Sequence, residues 1–260
     1  MKTLIVIVLT LMLAAVLVFG NLHWNSSSPE KTSTPAITNS DTNTEAEAEP
    51  EIDTEYYLEF AANWPEEAKE QLENKLNSNK TFKIILLGSN SIGSDSLGLQ
   101  NYLKEALSEK YEKHVELESI VYENTTADYV LNNEKEKLVD LKPDMVIFEP
   151  FLLNDNNVVA IPDTISNISS IMEETTADLP DVTFILQPPN QIYDANLYPM
   201  QVAALQEYAK DQNLTYLNHW EVWPAGNDVT VNNYLNADAR PNESGFKLWS
   251  DYLSDYLISE

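Results

Sequence analysis

Three stretches of different character follow one another along the chain. Residues 4–19 are apolar, interrupted only by Thr10. Residues 25–54 are mostly Ser, Thr, Asn, Pro and Glu, with almost nothing apolar. From Glu55 onward apolar positions recur with a period, and elements can be read. Tyr56, Tyr57, Phe60 and Trp64 fall at helical spacing, and Pro65 followed by two glutamates opens a second helix to about Leu76. Strand and helix patterns then alternate. The run FKIILL at 82–87 is wholly apolar, the mark of a strand buried on both faces. A helix is predicted over 99–111, a strand over 115–122, a helix over 128–141 and the strand MVIF over 145–148. Next come a helix from about 164 to 176, a strand over 182–186, a helix over 199–212 and a strand over 214–217. The last helix, 241–258, carries Phe246, Trp249, Tyr252, Leu253, Tyr256 and Leu257 on one face.

Five strands alternating with helices predict a three-layer α/β/α sandwich around a doubly wound, five-stranded parallel sheet. In such a sheet the loops beyond the carboxyl ends of the strands carry the chemistry. The chain thus divides into a leader over 1–24, an acidic linker over 25–54 that cannot bury enough surface to order itself, and one domain over 55–260. Lys2 followed by the apolar run reads as an export signal or an N-terminal membrane anchor, which places the remainder outside the cytoplasm.

Composition narrows the function classes. The chain has no cysteine, which excludes disulfides, thiolate metal sites, cysteine nucleophiles and an acylated cysteine anchor. With 15 basic and 42 acidic residues its net charge is −27, a surface that repels phosphate backbones and argues against nucleic acid as a partner. No carboxylates pair with histidines at ligand spacing, so neither a metal nor another cofactor is expected.

The strand-end loops hold the candidate chemistry. After the first strand comes the loop Gly88-Ser89-Asn90-Ser91-Ile92-Gly93-Ser94, rich in Gly and Ser but with neither the glycine spacing of a dinucleotide loop nor the lysine of a phosphate loop. After the third strand lies Glu149-Pro150-Phe151-Leu152-Leu153-Asn154-Asp155, where the Asn154 amide could donate to an oxyanion. After the fifth comes Asn218-His219-Trp220, and His219 is the histidine placed at the functional end. His23 and His114 sit elsewhere. The last helix opens with Pro241-Asn242-Glu243-Ser244-Gly245.

This order of motifs resembles the SGNH, or GDSL-type, hydrolases over about residues 82–260. The resemblance implies a flavodoxin-like fold and hydrolysis of acyl esters of lipids, sugars or cell-wall polymers. Gly88 matches the first motif, Ser89 stands where its aspartate belongs and Asn90 where its nucleophile belongs. Ser89 or Ser91 serves as nucleophile if the loop is shifted by one. Asn154 and Asp155 match the third motif, although the glycine of the second is missing. Pro241, Asn242 and Gly245 match the last, with Arg240 in the place of the histidine base and Ala237 in that of its aspartate. Arginine does not release its proton near neutral pH. Two readings follow. In one, His219 reaches the serine, oriented by Glu149, Asp155 or Asp238, with Gly88, Asn90, Trp220, Arg240 and Asn242 lining the substrate. In the other, the fold is a non-catalytic module that binds a cell-surface glycan or acylated polymer. Either is expected to act as a monomer.

Overall fold

The computed structural model describes residues 52–94 and 96–260. The apolar run at 4–19 and the linker up to residue 51 lie outside these, as does Asp95. Among the described residues no helix is long and apolar enough to cross a membrane.

Two helices lead in: α1 (Thr54–Phe60), capped by the Asp53 carboxylate, and α2 (Glu66–Asn77), which follows Pro65. The alternating part is β1 (Phe82–Gly88), α3 (Leu99–Tyr111), β2 (Val115–Val121), α4 (Thr126–Leu131), α5 (Lys135–Leu141), β3 (Met145–Phe148), α6 (Leu152–Asp155), α7 (Ile161–Asp178), β4 (Thr183–Leu186), α8 (Tyr198–Asp211), β5 (Thr215–Tyr216) and α9 (Glu243–Leu257). All five strands are parallel, in the order β2-β1-β3-β4-β5. This is the expected doubly wound sandwich.

The alternation of each buried strand sorts the core into two halves. Ile84, Leu86, Ile147 and Ile185 face one side, where Leu72 of α2, Leu103 of α3 and Trp249 of α9 cover them. Ile85, Leu87, Val146, Phe148 and Leu186 face the other, under Tyr129 of α4, Leu138 of α5, Ile168 and Ile171 of α7, and Leu205 of α8. Near-complete burial on both faces is why these strands read as continuous apolar runs.

The structure departs from the periodicity in two places. The single helix expected over 128–141 is two, because Asn133 takes a left-handed conformation (φ 53°) between α4 and α5. The segment after β3 is not all loop, since α6 fills four residues of it.

The ladder sets up the functional end. Leu87 is in register with Phe148, and Phe148 with Leu186. The residues one step on, Gly88, Glu149 and Gln187, therefore stand side by side where β1, β3 and β4 end. Backbone bonds from Glu149 N–H to the Leu87 carbonyl (2.8 Å) and from Gln187 N–H to the Phe148 carbonyl (3.0 Å) continue the ladder that far.

Candidate active site

Beyond Gly88 the chain turns through Ser89 into a 3-10 turn, Asn90–Ile92. Ser89 caps that turn: its hydroxyl accepts the Ser91 N–H at 3.2 Å. Across from it, the Glu149 carboxyl is fully buried. Glu149 Oε2 lies 2.6 Å from both the Ser89 hydroxyl and the Ser89 backbone nitrogen, and Oε1 accepts the Phe151 N–H at 3.1 Å. That last bond needs Phe151 in the left-handed region (φ 58°), a conformation that costs a non-glycine residue about 1 kcal/mol and is here held by packing. Gly88 permits the approach, since a Cβ there would meet Ile92 Cγ2 at 2.6 Å and Glu149 Oε2 at 3.1 Å.

Burial pushes the Glu149 carboxyl up to about 8, against the opposing pull of the hydrogen bonds from Ser89 and Phe151. Both protonation states can be satisfied. The neutral acid donates from Oε2 to the serine oxygen, and the ionised form accepts the serine proton through the same contact. The sequence suggests Glu149 only as one group that could orient a histidine, and the structure makes it the direct partner of Ser89. The signal was a carboxylate directly after an all-apolar strand, in register with the β1 terminus.

His219 is not part of this arrangement, which corrects its reading as the catalytic base. It is fully buried and stacks on Trp249 with ring centroids 4.0 Å apart and planes 11° from parallel. Trp223 Nε1–H donates to His219 Nδ1 at 3.0 Å, so the ring proton sits on Nε2, which donates to the Pro188 carbonyl at 2.8 Å. Both nitrogens are thus spent on partners other than a hydroxyl. Burial lowers the imidazole to about 3, which keeps it neutral.

Asp155 does not orient a histidine either. Its buried carboxylate accepts the Thr126 N–H (2.8 Å), the Thr126 hydroxyl (2.6 Å) and the Thr164 hydroxyl (2.6 Å), tying α6 to the starts of α4 and α7. Asp238 is exposed, with its backbone N–H on Asn236. Asn154 stands beside the β2 loop and donates its amide to the Asn124 carbonyl (2.9 Å) and the Tyr122 carbonyl (3.5 Å), rather than towards Ser89. Ser91 is buried next to Ser89, and Asn90 between them is half-buried.

The residues named for substrate contact divide similarly. Asn242 caps α9 through Gly245 N–H and donates to the Asn233 and Leu235 carbonyls, so its side chain is spent on local structure. Gly245 must be glycine, because a Cβ would meet the Tyr234 carbonyl at 2.3 Å. Trp220 donates to the Pro189 carbonyl at 2.7 Å and lies against Tyr198. Arg240 is exposed, and its backbone N–H bonds Asn236.

Two clefts stand out on the described surface. One, of about 1350 Å³, lies among residues such as Lys75, Asp144 and Thr183 at the amino ends of β3, β4 and β5. The other, of about 600 Å³, follows the outer edge of β5. Neither is lined by Ser89 or Glu149. The chemistry of the strand ends, and not cavity size, marks the candidate site.

Known structures share this arrangement of strands and helices. A lipase/acylhydrolase from Enterococcus faecalis matches with a TM-score of 0.54 at 19% identity, over 67% of this chain and 94% of its own. A GDSL-like lipase from Bacteroides thetaiotaomicron gives 0.52 at 13% identity, covering 74% and 98%. A catalytic mutant of an acetylxylan esterase from Geobacillus stearothermophilus gives 0.54 at 16% identity, covering 68% and 94%. The fold is that of the GDSL-type hydrolases. No family model and no curated protein matches the sequence. The shared scaffold puts Ser89 and Glu149 at the end of the sheet where a doubly wound fold does its chemistry.

Proposed function

We propose that this chain is an acyl-ester hydrolase in which Ser89 is the nucleophile and Glu149 replaces the imidazole base. The observation that carries the reading is the 2.6 Å contact between the Ser89 hydroxyl and a buried carboxyl held near 8. A carboxylate of that basicity takes a serine proton far more readily than an ordinary one, and a base near the working pH is what acid–base catalysis requires. The serine oxygen adds to the ester carbonyl while its proton passes to Glu149. Glu149 returns the proton to the departing alkoxide, and a water activated by the same carboxylate cleaves the acyl-serine. Ser89 is only 1% exposed, so this reading requires the turn at residues 90–92 to open for substrate. The same proposal places the domain outside the cytoplasm, on the strength of Lys2 and the apolar run after it. Protease added to intact cells is then expected to degrade it.

The pH dependence is the direct test. Only ionised Glu149 can accept a proton, so kcat/KM for a short chromogenic ester should rise with pH and reach half its plateau near 8. A histidine base would bring the midpoint near 6.5. Ser89→Ala should abolish turnover, and a serine-directed phosphonate should label Ser89 and not Ser91.

The low exposure of Ser89, with Asn90 and Arg240 in the family's nucleophile and base positions, favours the second reading, a binding module without turnover. Absence of both ester turnover and phosphonate labelling across pH 6 to 9 decides for it.

A further inference from the structure

Arg240 is the only arginine in the chain. It is also the only basic residue, histidine aside, in the loops that follow the five strands (89–98, 122–125, 149–160, 187–197 and 217–242). Its backbone is held on both sides: the N–H bonds Asn236 Oδ1 at 3.1 Å, and the carbonyl accepts the Asn236 N–H at 2.8 Å. The Ala239 carbonyl accepts the Asn190 amide at 3.0 Å, which ties this loop to the one after β4. Further on, Phe246 of α9 packs on the loop after β1, where a Cβ at Gly93 would meet its ring at 2.8 Å. Arg240 is thus anchored to the sheet end at which Ser89 and Glu149 meet. β4 lies two strand steps from β1, roughly 10 Å at about 4.8 Å per step.

The side chain itself is exposed and uncommitted. Asp238 and Glu243 flank it in sequence, yet among the described residues no carboxylate lies within ion-pair distance of its guanidinium. Other acids of these loops have donors of their own. Asp228 accepts the Thr230 N–H, Glu221 the Asn218 amide, and Glu149 and Asp155 are buried among theirs. A guanidinium presents a planar fork of N–H donors that a carboxylate matches with two parallel bonds. One fork balances one charge, which suits a carboxylate better than a phosphate monoester of about −2. A surface of net charge −27 repels anions in general, so a lone cation beside the site makes a local exception.

We propose that Arg240 is a specificity residue that binds a carboxylate carried by the substrate. That group can sit on the acyl side, as in the half-ester of a dicarboxylic acid, or on the alcohol side, as in an acylated acidic sugar. Calling its bearer a substrate rests on the hydrolase reading; capture of the carboxylate by Arg240 does not.

The test compares kcat/KM of the full chain for matched charged and neutral esters. Nitrophenyl monoglutarate against nitrophenyl butyrate probes the acyl side, and acetylated galacturonic acid against acetylated galactose the alcohol side. At least one charged-to-neutral ratio should shrink with added salt and fall about tenfold in Arg240→Gln. The exchange is at an exposed position and keeps the backbone bonds to Asn236. The pair that responds identifies the side that carries the carboxylate. Calorimetric titration of Ser89→Ala with monomethyl glutarate and acetylated galacturonic acid reads capture without turnover, and adding Arg240→Gln should weaken it about tenfold. Ratios unmoved by Arg240→Gln overturn the site and leave the hydrolase reading standing. If no ester is turned over, the titration decides: binding that depends on Arg240 supports the site without the hydrolase, and no such binding overturns it.

Discussion

Replacing His219 by alanine will lower stability by about 4 kcal/mol and leave the rate of ester turnover per folded molecule unchanged. Three losses combine. The Pro188 carbonyl and the Trp223 indole N–H are left unpaired inside the protein, and the face of Trp249 on which the imidazole is stacked is left against a void. The native ring is held neutral, with its pKa lowered from 6.5 to about 3, whereas in the unfolded chain it protonates below 6.5. Below pH 6.5 the unfolded state therefore binds the extra proton. The stability this ring contributes is complete above 6.5 and declines as pH falls towards 3, by on the order of 5 kcal/mol across the window. Urea unfolding at several pH values, with turnover normalised to the folded fraction, reads both parts. A hundredfold loss of rate at undiminished stability would return the imidazole to the chemistry.

His219 also shows where sequence reasoning stops. The order of strands and helices was legible because the apolar runs FKIILL and MVIF are too uniform for a half-exposed surface and turn residues bound them on both sides. The motif order around Gly88, Asn154 and Asn242 pointed to the scaffold. What the sequence could not give was the direction in which a side chain at a strand end points. His219 and Glu149 both follow strands at the functional end. One turns into the layer beneath α9, where one indole stacks on its face and another donates to its Nδ1, and the other turns towards the β1 terminus. That difference arises from Trp223 and Trp249, 4 and 30 residues further along the chain, and from the left-handed turn at Phe151. Asp155 misled for a similar reason. A carboxylate in a loop suggests chemistry, yet three donors from two helix starts make it a structural tie.

Glu149→Gln should abolish turnover and change the shape of the stability curve. Native Glu149 is held protonated up to about 8, while the unfolded side chain ionises from 4.5. Between those values the native state binds the extra proton, so this group's contribution is complete below 4.5 and is lost as pH rises to 8, by on the order of 5 kcal/mol. The His219 contribution runs the opposite way, rising from pH 3 to 6.5. From 4.5 to 6.5 the two slopes cancel, and the parent's curve is flat there so far as these two groups determine it. From 6.5 to 8 only the glutamate slope remains, and stability falls. Glutamine cannot ionise, so in the variant the histidine slope stands alone: stability climbs with pH to 6.5 and then levels. One fixed cost accompanies the exchange. The glutamine oxygen can serve the Ser89 donors or the Phe151 N–H but not both, and its amide then confronts the other, at about 1–2 kcal/mol independent of pH. Guanidinium unfolding of the parent and variant between pH 4 and 9 separates the two effects. Parallel curves would mean that Glu149 is already ionised in the native state, and a carboxylate of ordinary basicity beside Ser89 could not act as its base.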